Sequence, residues 1–91
     1  MEDARPRTVA VVDDDKLTAS LVSDSLAEAG FSVRTFSSGE DALAALWEEG
    51  VDLAVLDLVL PKMNGLKLAR ELRQRPWAAR LSVVLVSAVE L

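Results

Sequence analysis

The 91-residue chain has no cysteine, no histidine and no tyrosine. Without cysteine, neither a disulfide nor a thiolate metal site can brace the fold. Without histidine or cysteine, the usual nucleophile–base pairs and the common zinc ligand sets are excluded. Aromatic residues are only 4% of the chain, two tryptophans and two phenylalanines. A base-stacking surface therefore has little to work with. No apolar run approaches the ~20 residues of a membrane-spanning helix. The start, Met1 to Arg7, has charges but no hydrophobic stretch behind them, so it does not read as a signal peptide. A cytoplasmic location is expected. Glycine-rich phosphate loops and the Gly-Lys-Ser/Thr motif are missing as well.

What is present is apolar and acidic. Hydrophobic residues make up 51% of the chain, which rules out intrinsic disorder. A chain this short forms one small domain, burying a little over ~60% of its unfolded surface. The net charge of −5 argues against a protein that wraps duplex DNA. That charge is unevenly spread. Residues 1–61 are strongly acidic, and 62–80 carry Lys62, Lys67, Arg70, Arg73, Arg75 and Arg80 against Glu71 alone. The basic stretch reads either as a solvated helix face or as a docking surface for an acidic partner. Nucleic acid is a weaker option, since only Trp77 is there to stack on a base.

Hydrophobic patterning alternates between two periods. Thr8–Val12 is a short β-rich run with both faces apolar, as a buried parallel strand requires. Asp14 or Asp15 can cap the helix that follows. That helix carries Leu17, Leu21, Val22, Leu26 and Ala29 at helical spacing, and Gly30 stops it. Phe31–Phe36 alternates and reads as a half-exposed peripheral strand. Ser37-x-x-Glu40 has the form of a capping box, opening a helix with a stripe of Ala42, Leu43, Leu46 and Trp47 that ends at Gly50. Val51–Leu56 is a third strand, with Asp52 near its start expected in solvent. Pro61 and Asn64-Gly65 then carry turn chemistry. Leu66, Ala69 and Leu72 or Arg73 mark a third helix, closed by Pro76, and Leu81–Val86 is a fourth strand. No repeat, linker or low-complexity stretch interrupts this order. Strand and helix in alternation predict an α/β fold with a parallel sheet and helical crossovers.

In an open parallel sheet, ligands bind beyond the carboxyl ends of the strands. Asp13 and Asp14 follow the first strand, Asp57 the third, and Ser87 the fourth. Each alone is an ordinary cap, turn or strand-end residue, and for Asp15 a cap is the better reading. Jointly they predict three carboxylates and a hydroxyl converging at one end of the sheet. Carboxylates this close repel, and at least one should have a raised pKa. A hard divalent cation resolves the conflict, and Mg²⁺ takes carboxylate, water and phosphate oxygens. An aspartate beside such a cation can attack phosphorus. A phosphatase of the haloacid-dehalogenase type also uses a strand-end aspartate, but needs a second one two positions on, where this chain has Val59.

Three stretches, Val9–Asp15, Val51–Leu66 and Leu81–Ala88, make the chain resemble the response-regulator receiver domain of two-component signalling. The resemblance implies a flavodoxin-like sheet of order 2-1-3-4. It implies Asp57 as acceptor of a phosphoryl group from a sensor histidine kinase or phosphotransfer protein. Asp13, Asp14, Asp57 and the backbone carbonyl of Val59 would hold Mg²⁺. Ser87 would bond the phosphoryl group, and Ala88 would leave room for it. Asn64 stands where the family more often has aspartate. The family also has a fifth strand bearing a lysine, an aromatic switch residue and two more helices, which would take roughly 40 further residues. Residues 1–91 are thus expected to be a single receiver-like unit lacking those parts, with Lys16, Lys62 and Lys67 misplaced to replace the lysine. Phosphoryl transfer is then expected to be slow. Two functions remain open at this point. One is a phosphoacceptor domain without direct nucleic-acid or membrane contact. The other is a receiver scaffold that serves as an oligomerisation module, with its fourth strand as an exposed, aggregation-prone edge.

Overall fold

A computed structural model describes residues 7–79 and 81–86, the side chains of 46–49 excepted. Four parallel strands form one sheet of order β2-β1-β3-β4, namely β1 (Thr8–Val12), β2 (Ser32–Phe36), β3 (Leu53–Asp57) and β4 (Ser82–Val86). The crossovers are helices α1 (Lys16–Glu28), α2 (Gly39–Glu49) and α3 (Gly65–Arg73), with a 3₁₀ turn at Pro76–Ala78 before β4. Parallel pairing with helical crossovers follows from the alternation of strand and helix seen in the sequence, and the order 2-1-3-4 is the one the resemblance implied.

β1 is the central strand, and Val9 to Val12 are all buried. Its side chains alternate between two clusters. Ala10 and Val12 face a larger core with Ala54, Leu56, Leu68 and Leu72 under α2 and α3. Val9 and Val11 face a smaller one with Ala19, Val22 and Leu26 of α1. Burying a leucine such as Leu56, Leu68 or Leu72 contributes roughly 1.5–3 kcal/mol. The α1 side of the sheet is the thinner layer. Leu17 and Leu21 on α1 are 69% and 60% exposed, and Val84, Leu85 and Val86 of β4 are exposed as well.

Most helix ends have an identifiable cause. Asp15 caps α1, its carboxylate accepting from the Leu17 N–H at 3.2 Å and the Thr18 hydroxyl at 2.7 Å. At the other end, Gly30 N–H donates to Ala27 and Phe31 N–H to Leu26, a Schellman closure that needs the positive φ of Gly30 (99°). For α2 the cap is Ser38, which accepts from the Asp41 N–H at 3.1 Å, one residue later than the expected Ser37-x-x-Glu40 box. Both serines suit the role; the chain extends through Ser38 (φ −147°, ψ 158°), and this selects it. Of the expected α2 stripe, Ala42 is buried and Leu43 packs on the larger core, whereas the Leu46 and Trp47 side chains lie outside the described residues.

Three further expectations are corrected. Asp52 is not simply solvated. Its carboxylate accepts the Thr8 N–H at 2.8 Å, its own N–H donates to the Thr8 carbonyl, and its carbonyl accepts from Ser82. It ties β1, β3 and β4 together at the end of the sheet remote from the acids. On α3 the inward residues are Leu68 and Leu72, and Leu66 points to solvent at 43% exposure. Asn64 caps this helix, accepting from the Lys67 N–H at 2.9 Å, so Asn64-Gly65 begins α3 and is not a free turn.

Candidate functional site

The sheet register sets the site. Val12 pairs with Leu56, so Asp13, just beyond β1, lies beside Asp57, the last residue of β3. The ladders continue one step past the strands. Asp13 N–H donates to the Phe36 carbonyl at 3.0 Å, and Leu58 N–H to the Val86 carbonyl at 2.8 Å. Asp13 is therefore tied to β2 by its own N–H, and Asp57 is held against β4 by its register with Val86 and the bond of the residue that follows it.

Asp13, Asp14 and Asp57 offer carboxylate oxygens that all lie within 4.8 Å of one another. Asp13 and Asp57 are half-buried and Asp14 is exposed. Two local bonds orient them. Asp13 Oδ1 accepts the Asp15 N–H at 2.9 Å, and Asp57 Oδ1 accepts the Val59 N–H at 3.1 Å. Burial pushes the Asp13 carboxyl above the usual carboxylate range, and the Asp57 and Asp14 charges push the same way, against the Asp15 bond that lowers it. The raised pKa expected from crowded carboxylates thus falls on Asp13, with desolvation ahead of repulsion as its cause. Asp15 stands apart. Its bond from the Thr18 hydroxyl holds its pKa down, as befits a cap.

The oxygen-only donor set suits a hard cation such as Mg²⁺. Nearby, a cleft of about 210 Å³ runs between α1 and the sheet, with Asp13 and Asp57 at its polar end and Val22, Val55 and Val86 along its wall. A wider groove of about 420 Å³ on the other side of Asp13 is lined by Lys16, Ser20, Thr35 and Ser37. Val59 is exposed, two residues beyond Asp57. Ser87 and Ala88 lie outside the described residues, although Val86, which precedes them, pairs with Asp57 in the β3–β4 register. Gly65, expected as a turn residue, also abuts the Asp57 backbone. The close approach of α3 to the end of β3 leaves no periodic signal.

Residues 9–90 match the family described as the response regulator receiver domain. The chain belongs to that family. Among similar proteins are the phosphate regulon transcriptional regulatory protein PhoB of Rhizobium meliloti, 39% identical over 80 residues, and the transcriptional regulatory protein GltR of Pseudomonas aeruginosa, 38% identical over 85. These alignments cover 88% and 93% of this chain, and it spans about a third (35%) of each relative's length. Among solved structures, the CheY-like receiver domain from Methylobacillus flagellatus superposes with a TM-score of 0.87 at 32% identity, covering 93% of this chain and 72% of that one. The response regulator TrrA of Thermotoga maritima, solved with Mg²⁺–BeF, gives 0.84 at 30%, covering 92% and 71%. This receiver is a phosphoacceptor signalling domain of the two-component type. Its acidic group favours that reading over a purely scaffolding one. Among the described residues, no helix is long and apolar enough to cross a membrane.

Proposed function

We propose that Asp57 accepts a phosphoryl group from the phosphohistidine of a sensor histidine kinase or phosphotransfer protein, beside a Mg²⁺ ion held by Asp13, Asp14, Asp57 and the Val59 carbonyl. The observation that carries this is the convergence of three carboxylates within 4.8 Å at the carboxyl end of a parallel sheet. Mg²⁺ would neutralise charge as phosphate oxygens approach the acids. The Val59 N–H holds Asp57 Oδ1, which leaves Oδ2 as the attacking atom. A bond forms from Oδ2 to phosphorus while the phosphorus–nitrogen bond breaks. The imidazole, protonated on its other ring nitrogen, leaves with the electron pair and ends neutral. Water later attacks the acyl phosphate, returning the carboxylate and inorganic phosphate. Ser87 supplies the hydroxyl that bonds the phosphoryl oxygens. The chain is thus an acceptor that at most catalyses its own phosphorylation and dephosphorylation, in the cytoplasm and without touching nucleic acid or membrane.

The curated relatives bear on partners only by similarity, and we assign the kinase contact on the chemistry of the site. A second contact is supported by the exposed β4 side of the sheet. No residue of Ser82–Val86 is charged or proline, and Val84 and Val86 are 46% and 49% exposed. Such an edge pairs readily with another strand. The 91-residue chain by itself therefore associates with a second copy through β4.

A Mg²⁺ titration followed by beryllium fluoride, read by melting temperature, tests the site. Mg²⁺ at about 100 times its Kd should stabilise the chain by ~2.7 kcal/mol, with a further rise on adding the phosphoryl mimic. An unchanged melting temperature at saturating Mg²⁺ contradicts the assignment.

A further inference from the structure

Gly65 is the first residue of α3, and its backbone does not require glycine. Among the described residues, the positive-φ glycines are Gly30 and Gly50, which close helices. Contact is the reason at Gly65. A Cβ there would overlap the Asp57 carbonyl oxygen and lie 2.9 Å from both the Asp57 carbonyl carbon and the Leu58 Cα. All three are backbone atoms, so no side-chain rotation relieves the overlap. Gly39 differs, because a Cβ there meets the Met63 sulfur at 3.1 Å, the outer part of a flexible side chain. The Gly65 N–H also donates to the Leu58 carbonyl at 3.0 Å, locking the two backbones together.

A methyl group at position 65 can be accommodated in two ways. Either α3 retreats or the Asp57–Leu58 peptide does. α3 is anchored by Leu68 and Leu72, both fully buried in the larger core. The Asp57–Leu58 segment stands at the last step of the β3–β4 ladder, with neither side chain fully buried; Leu58 N–H bonds Val86, Val59 N–H bonds Asp57 Oδ1, and among the described residues the Leu58 carbonyl is held only by Gly65 itself. The second is the weaker attachment. We propose that Gly65 is a positioning residue for Asp57: its missing side chain lets the start of α3 brace the acceptor's backbone and hold its carboxylate among those of Asp13 and Asp14. The functional part of this inference rests on the reading of Asp57 given above.

The test compares wild type, Gly65→Ala and Gly39→Ala as full chains. Metal-free samples are read by amide hydrogen exchange, and Mg²⁺ binding by calorimetry with the metal alone. Gly65→Ala should lose protection at the Val59 amide while Leu68 and Leu72 keep theirs, and should bind Mg²⁺ about tenfold more weakly. Gly39→Ala should match wild type in both. If Gly65→Ala is unfolded in buffer, the comparison is made in trimethylamine N-oxide, which favours compact states. Wild-type Val59 protection and Mg²⁺ affinity in Gly65→Ala overturn the proposal, as does loosening confined to α3. A chain that stays unfolded in the osmolyte also overturns it, because the contact then holds the fold and not the carboxylate. Wild type that binds no Mg²⁺ contradicts the proposed function alone, and the Val59 amide still decides the role of Gly65.

Discussion

Burial and the charges of Asp57 and Asp14 raise the Asp13 pKa in the folded chain, so ionised Asp13 opposes folding when no metal is bound. The sign is that of any carboxyl whose folded pKa is raised. Its favourable contribution is full below the unfolded value of ~3.9 and is lost as pH rises through the folded one. Asp13→Asn should therefore melt higher than wild type at pH 7 without metal. The gap should close as pH falls towards ~3.9, and Mg²⁺ should no longer stabilise the variant. Equal metal-free melting temperatures at pH 7 would contradict this. Lys62 offers a second test. Its φ of 65° and the 2.7 Å bond from Met63 N–H to the Pro61 carbonyl describe a strained γ-turn between β3 and α3. Lys62→Gly should relieve ~1–2 kcal/mol of strain against ~0.4–1 kcal/mol of added chain entropy. A net gain of about 0.5–1 kcal/mol in denaturant unfolding is expected. At this scale the sequence was legible where chemistry announces itself, as in Asp13, Asp14 and Asp57. It was not legible where a contact decides. Nothing local distinguishes Ser38 from Ser37 as a cap. Nothing local shows that Gly65 abuts Asp57 or that Asp52 bonds Thr8.

The elements repeat this division. The all-apolar run of β1 follows from burial on both faces, that of β3 from an internal place with Ala54 and Leu56 buried on one face and Leu53 and Val55 half-buried on the other, and the alternation of β2 from its place at the edge. All three could be read in advance, and so could the helices, because Gly30 and Gly50 end α1 and α2 where expected. The inward face of α3 could not. Leu66, Leu68, Ala69 and Leu72 leave two stripes possible, and the Asn64 cap with the close approach of Gly65 fixes the rotation that buries Leu68. Leu68→Ala should cost ~2–5 kcal/mol, whereas Leu66→Ala should stay within about 0.5 kcal/mol of wild type. Asn64→Ala should cost about 1 kcal/mol through the lost cap. Denaturant midpoints with an unchanged m-value check all three; a Leu66 cost equal to that of Leu68 would place the helix differently.

For the whole molecule, the sheet is better covered on its α2–α3 side than on its α1 side. The exposed residues Leu17, Leu21, Val84 and Val86 belong to the thinner layer or to the β4 edge. An apolar surface of this kind on a small protein marks an interface. The 91-residue chain should elute as a dimer in light scattering coupled to size exclusion, and Val84→Lys should return it to a monomer. A wild-type monomer with cooperative unfolding would remove β4 pairing from the account. The acidic end of the sheet carries the central claim, and phosphoryl transfer probes it most directly. The chain is incubated with Mg²⁺ and acetyl phosphate, and the product is read by intact mass and by mapping of the acyl phosphate. One phosphoryl group per chain, located on Asp57 and absent both from Asp57→Asn and without Mg²⁺, is the predicted result. A phosphoryl group on another aspartate, or one that persists in Asp57→Asn, would contradict it.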